Sequence, residues 1–450
     1  MSWQPEPAVA AAGLALLAAA AAWWAVARRR GAGDRLLRRA LVEPGADVRA
    51  AALSLVGYRG LAQYADVLVQ LKTLERDPRV LSALAGVVAR NQWEPVADAR
   101  LVELRLWAQR HLADEARREA SANRRTSERP RRNGDRPPVE KVLVTGAGGP
   151  AGVAVIRALQ ALGIDVVAAD ADPLAAGLRI AREGGVVAAC TQPEFVETLC
   201  ELAARTGAQA LASTVAEELA TLASANGSFH RSGLAAWLPD PTAVQACIDK
   251  WHFSQALRRT AIATPPTGLG SAVGVPGPWI VKPRFGRGSR DVYAADNEEA
   301  LAFALERVPE PVVQTRLSGL EFTIDALVER DGTLAGAVPR WRIETKAGIS
   351  TKGRTFRDDG LVEQAEALLA TLGLTGPANV QGFLRADDGS FVFVEVNPRF
   401  SGGLPLSLAA GADLVGEYIR GVAGLPIRRS RLGYRPGTVM TRYYEEVFER

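Results

Sequence analysis

Two segments late in the sequence end in side chains suited to holding a phosphate-bound metal ion. Phe391-Val392-Phe393-Val394-Glu395-Val396-Asn397 alternates as a strand does, and residues two apart on a strand share a face, so Glu395 and Asn397 project together. Asn379-Val380-Gln381-Gly382-Phe383 reads as a polar turn running into a neighbouring strand, which adds Gln381. Three hard oxygen donors converging in this way suit Mg²⁺ bridged by nucleotide phosphates. Upstream, Pro278-Trp279-Ile280-Val281-Lys282 reads as a strand ending in a lysine, followed by the glycine loop Phe285-Gly286-Arg287-Gly288-Ser289-Arg290. Such a loop can close its backbone N–H groups over phosphates. It is not a Walker loop, because Gly-Lys-Ser/Thr at a helix start is missing.

A third segment, Arg340 to Arg354, holds five cations in fifteen residues. Alternation places Arg340, Arg342 and Glu344 on one strand face, and Gly348 and Gly353 suggest a mobile turn. A guanidinium can clamp a carboxylate through two parallel hydrogen bonds. Arg340, Arg342, Lys352 and Arg354 are therefore candidates for binding the triphosphate and a carboxylate substrate, with a solvated basic hairpin as the alternative. The three histidines show no zinc-ligand pairing, which leaves metal binding to oxygen ligands and argues against His-driven nucleophilic catalysis. Cys190, Cys200 and Cys247 show neither metal spacing nor even pairing, as expected in a reducing compartment.

These residues need a scaffold, and 450 residues with 48% hydrophobic and 23% charged content can build two or three cores. From Val139 onward the texture is strand, glycine turn, helix: Lys141 to Thr145, then Gly146 to Gly152, then an apolar helix to Leu162 and a second strand at Asp165 to Ala169. This βαβ pattern predicts a parallel sheet. Gly146, Gly148 and Ala151, with Asp170 after the second strand, approximate a dinucleotide fingerprint, a weak signal beside the phosphate-binding segments above. Residues 8–27 carry no charge and no proline. As a helix they would span about 30 Å, enough to cross a bilayer. Arg28 to Arg30 follow them, and the positive-inside rule then puts the rest of the chain in the cytoplasm. Residues 34–115 show helical periodicity, and the echo of Asp47-Val48-Arg49 in Asp77-Pro78-Arg79 suggests HEAT-type repeats, or else an ordinary bundle, that could take a protein partner. Residues 116–138 have the composition of a disordered linker. The net charge of +4 gathers in arginine clusters without interleaved aromatics, so nucleic-acid binding is not expected.

The segment around Lys282, the stretch Pro311-Val312-Val313-Gln314-Thr315-Arg316-Leu317-Ser318-Gly319-Leu320-Glu321, and the Gln381, Glu395, Asn397 and Arg399 motif together resemble the ATP-grasp superfamily. The branch most similar contains the carbamoyl phosphate synthetase large subunit and the ligase of pyrrolysine synthesis. The resemblance runs from about Val139 to Arg450 and implies α/β and α+β architecture: a Rossmann-like pre-ATP-grasp domain at 139–240 and a two-lobed ATP-grasp module at 241–450. It implies that ATP lies between the lobes, with Gln314, Thr315 and Leu317 at the adenine hinge and Glu321 on the ribose. Thr315 stands where the family often has glutamate, which limits it to backbone contacts. The resemblance further assigns phosphate binding to Lys250, Lys282, Gly286, Gly288 and Ser289, and metal binding to Gln381, Glu395 and Asn397. It gives the catalytic roles to Lys282 and Arg399, with Mg²⁺ (or Mn²⁺) as the metal. The implied activity is an ATP-dependent carboxylate-amine or carboxylate-thiol ligase acting through an acyl phosphate on small-molecule carboxylate and amine substrates. A carbamoyl-phosphate-type enzyme acting on bicarbonate and a catalytically idle, membrane-tethered ATP-binding scaffold are the alternatives.

Overall fold

The chain folds as two units, Met1–Arg131, described by helices, and Arg132–Arg450, in which strands and helices alternate. The computed structural model describes residues 37–59, 61–90, 100–108, 110–112, 139–286, 288 and 290–448. The expected span at 8–27, the linker at 116–138 and Ser289 lie outside the described residues. In the first unit, helices Ala46–Arg59, Ala65–Leu74 and Pro78–Arg90 bury Leu53, Val56, Leu68, Leu84 and Val88 in one core. Arg49 clamps the buried Glu75 carboxylate with two bonds, Nε to Oε2 at 2.6 Å and Nη2 to Oε1 at 3.0 Å.

Among the described residues no helix is long and apolar enough to cross a membrane. The longest, Ala46–Arg59, has 14 residues, and at 1.5 Å per residue it reaches about 21 Å against about 30 Å of hydrocarbon. The expected single-pass membrane location, and the membrane as a partner, are corrected on this finding.

The second unit opens with a parallel sheet of five strands in the order β3-β2-β1-β4-β5, namely Glu183–Val186, Asp165–Asp170, Lys141–Thr145, Ala210–Ala212 and Ala235–Ala236. Two glycines make the tight passage from β1 into helix Pro150–Ala161 feasible. Gly146 has φ +62, and a Cβ on Gly152 would lie 2.1 Å from the Gly146 carbonyl oxygen. These glycines are required by helix-on-strand packing. The helix buries Val155, Ile156 and Leu159 in a core shared with Leu414, Val415, Tyr418 and Ile419, so helix Leu414–Val422 docks the end of the chain against the parallel sheet.

Two antiparallel sheets follow. The smaller has the order β6-β9-β7-β8, with β6 Thr267–Leu269, β7 Trp279–Pro283, β8 Tyr293–Ala295 and β9 Pro311–Thr315. The larger has the order β14-β13-β10-β11-β12-β15. Its strands are β10 Gly319–Val328, β11 Leu334–Lys346, β12 Ile349–Thr355, β13 Gly376–Arg385, β14 Phe391–Asn397 and β15 Val439–Thr441. Helix Asp359–Thr371 covers the larger sheet through Leu361, Ala365, Leu368 and Leu369, packed on Phe322, Ile324 and Val380. One face of this sheet is thus a dry core, and the alternate residues are free to build a polar site.

Candidate active site

The strands converge on a cavity of about 1430 Å³, lined by the glycine turn after β1, by β7 and its loop, by the β9–β10 hinge and by β11, β13 and β14. Ligand pockets usually measure about 300–1,000 Å³, so this one has room for a nucleotide and a second molecule.

Lys282, on β7, is buried, and among the described residues its ammonium makes no hydrogen bond. Burial lowers its pKa to about 8, Glu395 opposes the shift and Lys250 adds to it. A buried cation without a fixed partner is poised for an anionic ligand. Lys250 starts helix Lys250–Leu257, whose N-terminus is capped by the buried Asp249 through the N–H groups of Trp251 and His252. Arg284 holds the same carboxylate with Nε to Oδ1 at 2.9 Å and Nη2 to Oδ2 at 2.7 Å. This pairing fixes the helix beside the glycine loop, and Lys250 Nζ donates to the carbonyl of Gly286 at 3.0 Å. Gly286 and Gly288 line the cavity.

At the hinge, Gln314 is buried and donates to the Thr267 hydroxyl at 2.9 Å. The N–H groups of Thr315 and Arg316 are taken up by the carbonyls of Pro266 and Pro278, at 3.1 and 2.7 Å. Leu317 is the hinge position whose N–H has no partner among the described residues. Glu321 lines the cavity from β10, and burial raises its pKa, with Arg342 pulling it back.

The metal motif assembles in register. Gln381 on β13 lies directly opposite Glu395 on β14, and Asn379 opposite Asn397. Asn397 Nδ2 donates to Glu395 Oε1 at 3.1 Å, and Arg399 Nη2 lies 3.4 Å from Asn397 Oδ1. Among the described residues no group of three His, Cys, Asp or Glu could hold a metal ion. A site here draws on one carboxylate and two amide oxygens, a hard donor set that fits Mg²⁺ when phosphate oxygens complete the shell. Gln381 Oε1 already accepts from Arg342 Nη1 at 2.7 Å.

The basic segment divides. Arg340 and Arg342 line the cavity. Arg340, however, is committed to the buried Asp325, Nε to Oδ2 at 2.9 Å and Nη2 to Oδ1 at 3.1 Å, and donates to Ser401 Oγ at 2.7 Å. Its expected substrate role is corrected to holding β10, β11 and the loop after β14 together. Lys352 and Arg354 do not line the cavity: Arg342 pairs with Gly353 between them, so alternation turns both to the other face of β12, and Lys352 pairs with the exposed Glu344 at 2.8 Å. Gly353 lies within β12, against the Trp341 carbonyl, and is no turn.

Burial alone would raise the pKa of Asp325, but the Arg340 guanidinium and bonds from Arg340, Ser407 and Ser401 outweigh it and hold it below the ordinary value. The stabilisation is complete above the ordinary carboxylate range and is lost as pH falls through the folded value. Asp325→Asn leaves Arg340 uncompensated and is expected to cost about 3–5 kcal/mol, read by denaturant unfolding at neutral pH. One residue escaped the sequence reading. Glu218, just past the end of β4, accepts from the Thr145 and Ser213 hydroxyls and lines the cavity. The signal was available, since ligand crevices form outside the carboxyl ends of parallel strands. Asp170, where the weak dinucleotide fingerprint would put a ribose-binding acid, accepts from the N–H groups of Gly148 and Asp172, at 2.7 and 3.0 Å.

With this geometry in place, the comparisons agree on a class. Residues 307–442 match the family model described as ATP-grasp in the biosynthetic pathway with Ter operon, and residues 142–236 match the PylC-like N-terminal domain. The biotin carboxylase domain of Hydrogenobacter thermophilus 2-oxoglutarate carboxylase, solved with MgADP, ADP and bicarbonate, is similar at TM-score 0.53 and 19% identity, over 66% of this chain and 72% of that one. N5-carboxyaminoimidazole synthetase of Staphylococcus aureus with ADP gives TM-score 0.52 and 18% identity, over 64% and 78%. L-amino acid ligase of Bacillus licheniformis gives 0.51 and 17%, over 66% and 77%. No curated protein matches. At these identities the solved structures show the fold. Residues 307–442 thus match an ATP-grasp family model and the solved structures share the fold, in line with the expectation of an ATP-dependent carboxylate-amine ligase. Nothing in the comparisons supports HEAT-type repeats or a protein partner for the helical unit.

Proposed function

We propose that the protein activates a carboxylate as an acyl phosphate at the expense of ATP and passes it to an amine. The observation that carries this reading is the buried Lys282, without a hydrogen bond of its own among the described residues, in the same cavity as Glu395, Asn397 and Arg399. Adenine would lie at the hinge against Leu317, with the ribose near Glu321 and the phosphates between Lys250, Lys282 and the loop from Gly286 to Gly288. Gln381, Glu395 and Asn397 would hold Mg²⁺, which when bound supplies charge neutralisation for the phosphates. A carboxylate oxygen attacks the γ-phosphorus and ADP leaves; the amine nitrogen then attacks the acyl carbon and phosphate leaves. The chain's part is to position these groups and to place Lys282 and Arg399 where phosphoryl charge is redistributed.

Full-length protein with Mg·ATP should release ADP only when the matching carboxylate and amine are both present. A panel of amino acids and small carboxylic acids, with bicarbonate included, tests this, and bicarbonate alone driving ADP release would move the reading to the carbamoyl-phosphate type. Affinity for Mg·ATP should fall as pH rises through about 8, where Lys282 loses its proton, by up to about tenfold per pH unit. Lys282→Met should flatten that dependence in a calorimetric titration.

A further inference from the structure

Arg342 stands where the metal site requires positive charge. Its Nη1 donates to Gln381 Oε1 at 2.7 Å, its Nε lies 3.1 Å from Glu321 Oε1, and Glu395, opposite Gln381 across the β13–β14 pair, attracts it as well. The third arm of the guanidinium, Nη2, donates to the Gly348 carbonyl at 2.9 Å. Gly348 and Ala347, with φ +73 and +48, form the two-residue turn between β11 and β12, whose tip lines the cavity. One cation thus balances two acids, occupies the oxygen expected to bind metal and ties down the hairpin. The Nε hydrogen finds no aligned acceptor, so this arrangement leaves one donor of the fork unsatisfied.

We infer that Arg342 competes with a divalent cation for Gln381 Oε1, and gives way to Mg²⁺ only when the metal arrives with ATP. The inference rests on the ATP-grasp reading of Gln381 and Glu395 and adds an order of binding to it. A free divalent ion would have to share Gln381 Oε1 with a guanidinium, and like charges at that range repel strongly in a partly buried site. Incoming triphosphate reverses the balance: it brings negative charge for both the metal and the arginine. Released from Gln381, the guanidinium is available to phosphate or to the substrate carboxylate. The Gly348 tie breaks in the same step, which frees the hairpin tip to close on the substrate.

The probe is Mn²⁺, titrated by electron paramagnetic resonance and calorimetry into full-length protein, with and without the β,γ-imido analogue of ATP. Nucleotide-free wild type should bind Mn²⁺ weakly. Arg342→Met should bind it at least about tenfold more tightly, as removal of a neighbouring cation from a carboxylate site demands. Arg342→Gln offers the same neutral test should the methionine variant fold poorly. Adding Glu395→Gln to either should erase the gain. Arg342→Lys retains the charge and should stay near wild type. Equal Mn²⁺ affinity in nucleotide-free wild type and the neutral variants overturns the inference, as does a lysine variant that behaves like them. If wild type with the analogue takes up no Mn²⁺ at all, the metal reading itself falls; if uptake is normal and only the gain is missing, the fault lies with Arg342 alone.

Discussion

Glu395→Gln is expected to lower substrate-dependent ADP release by about 10³-fold or more, because it removes the one carboxylate of the proposed metal set at nearly constant volume. The substitution should leave folding intact: Glu395 is half-buried at the cavity wall, and the amide can still accept from Asn397 Nδ2. A second effect follows from its neighbours. Glu395 supports the charged forms of both Lys250 and Lys282. Without it the pKa of Lys282 drops further, so the fall in Mg·ATP affinity should begin at lower pH in the variant than in wild type. Steady-state ADP release, thermal unfolding and the pH dependence of nucleotide binding give three separate readouts. Wild-type turnover in Glu395→Gln would remove the metal assignment, and an unchanged pH profile would uncouple Glu395 from the lysines.

Much of this site is visible in the sequence because strand alternation is a strong constraint. Glu395 and Asn397 share a face by parity alone, and Lys282 follows an apolar strand whose register on β9 buries it. The parallel sheet was equally legible, since β1, the glycine turn and the following helix leave one arrangement for the chain. What one strand's pattern does not contain is its partner. Arg340 has the parity of a cavity residue, and only the pairing of β10 with β11 sets Asp325 within its reach. Lys352 and Arg354 also looked suitable by composition, but the pairing of Arg342 with Gly353, which turns both to the other face, is set by the β11–β12 register and not by either strand alone. Strand β15 closes the edge of the large sheet from more than eighty residues downstream of β12, a contact that periodicity cannot announce.

Arg399→Ala is expected to slow the chemical step by about 10²- to 10³-fold, the usual loss for one transition-state donor, with little change in the Kd for Mg·ATP. Pro398 ends β14, and the Arg399 N–H turns back to the Asn397 carbonyl at 2.8 Å. The side chain is steadied from its own loop, Nη1 on the Phe400 carbonyl at 2.8 Å and Nη2 near Asn397 Oδ1 at 3.4 Å. This fixes the plane of the guanidinium at the cavity wall, beside the proposed metal ligands. Preorganised charge of this kind costs no reorientation at the moment of transfer, which is why its removal should fall on kcat. Arg399→Lys separates charge from geometry: an ammonium restores the point charge and loses the planar fork, so it should recover part of the rate. Single-turnover phosphoryl transfer, measured beside nucleotide affinity, isolates the step. A variant that loses Mg·ATP binding and keeps its single-turnover rate would assign Arg399 to holding the ground-state nucleotide, and one unchanged in both would take it out of the site.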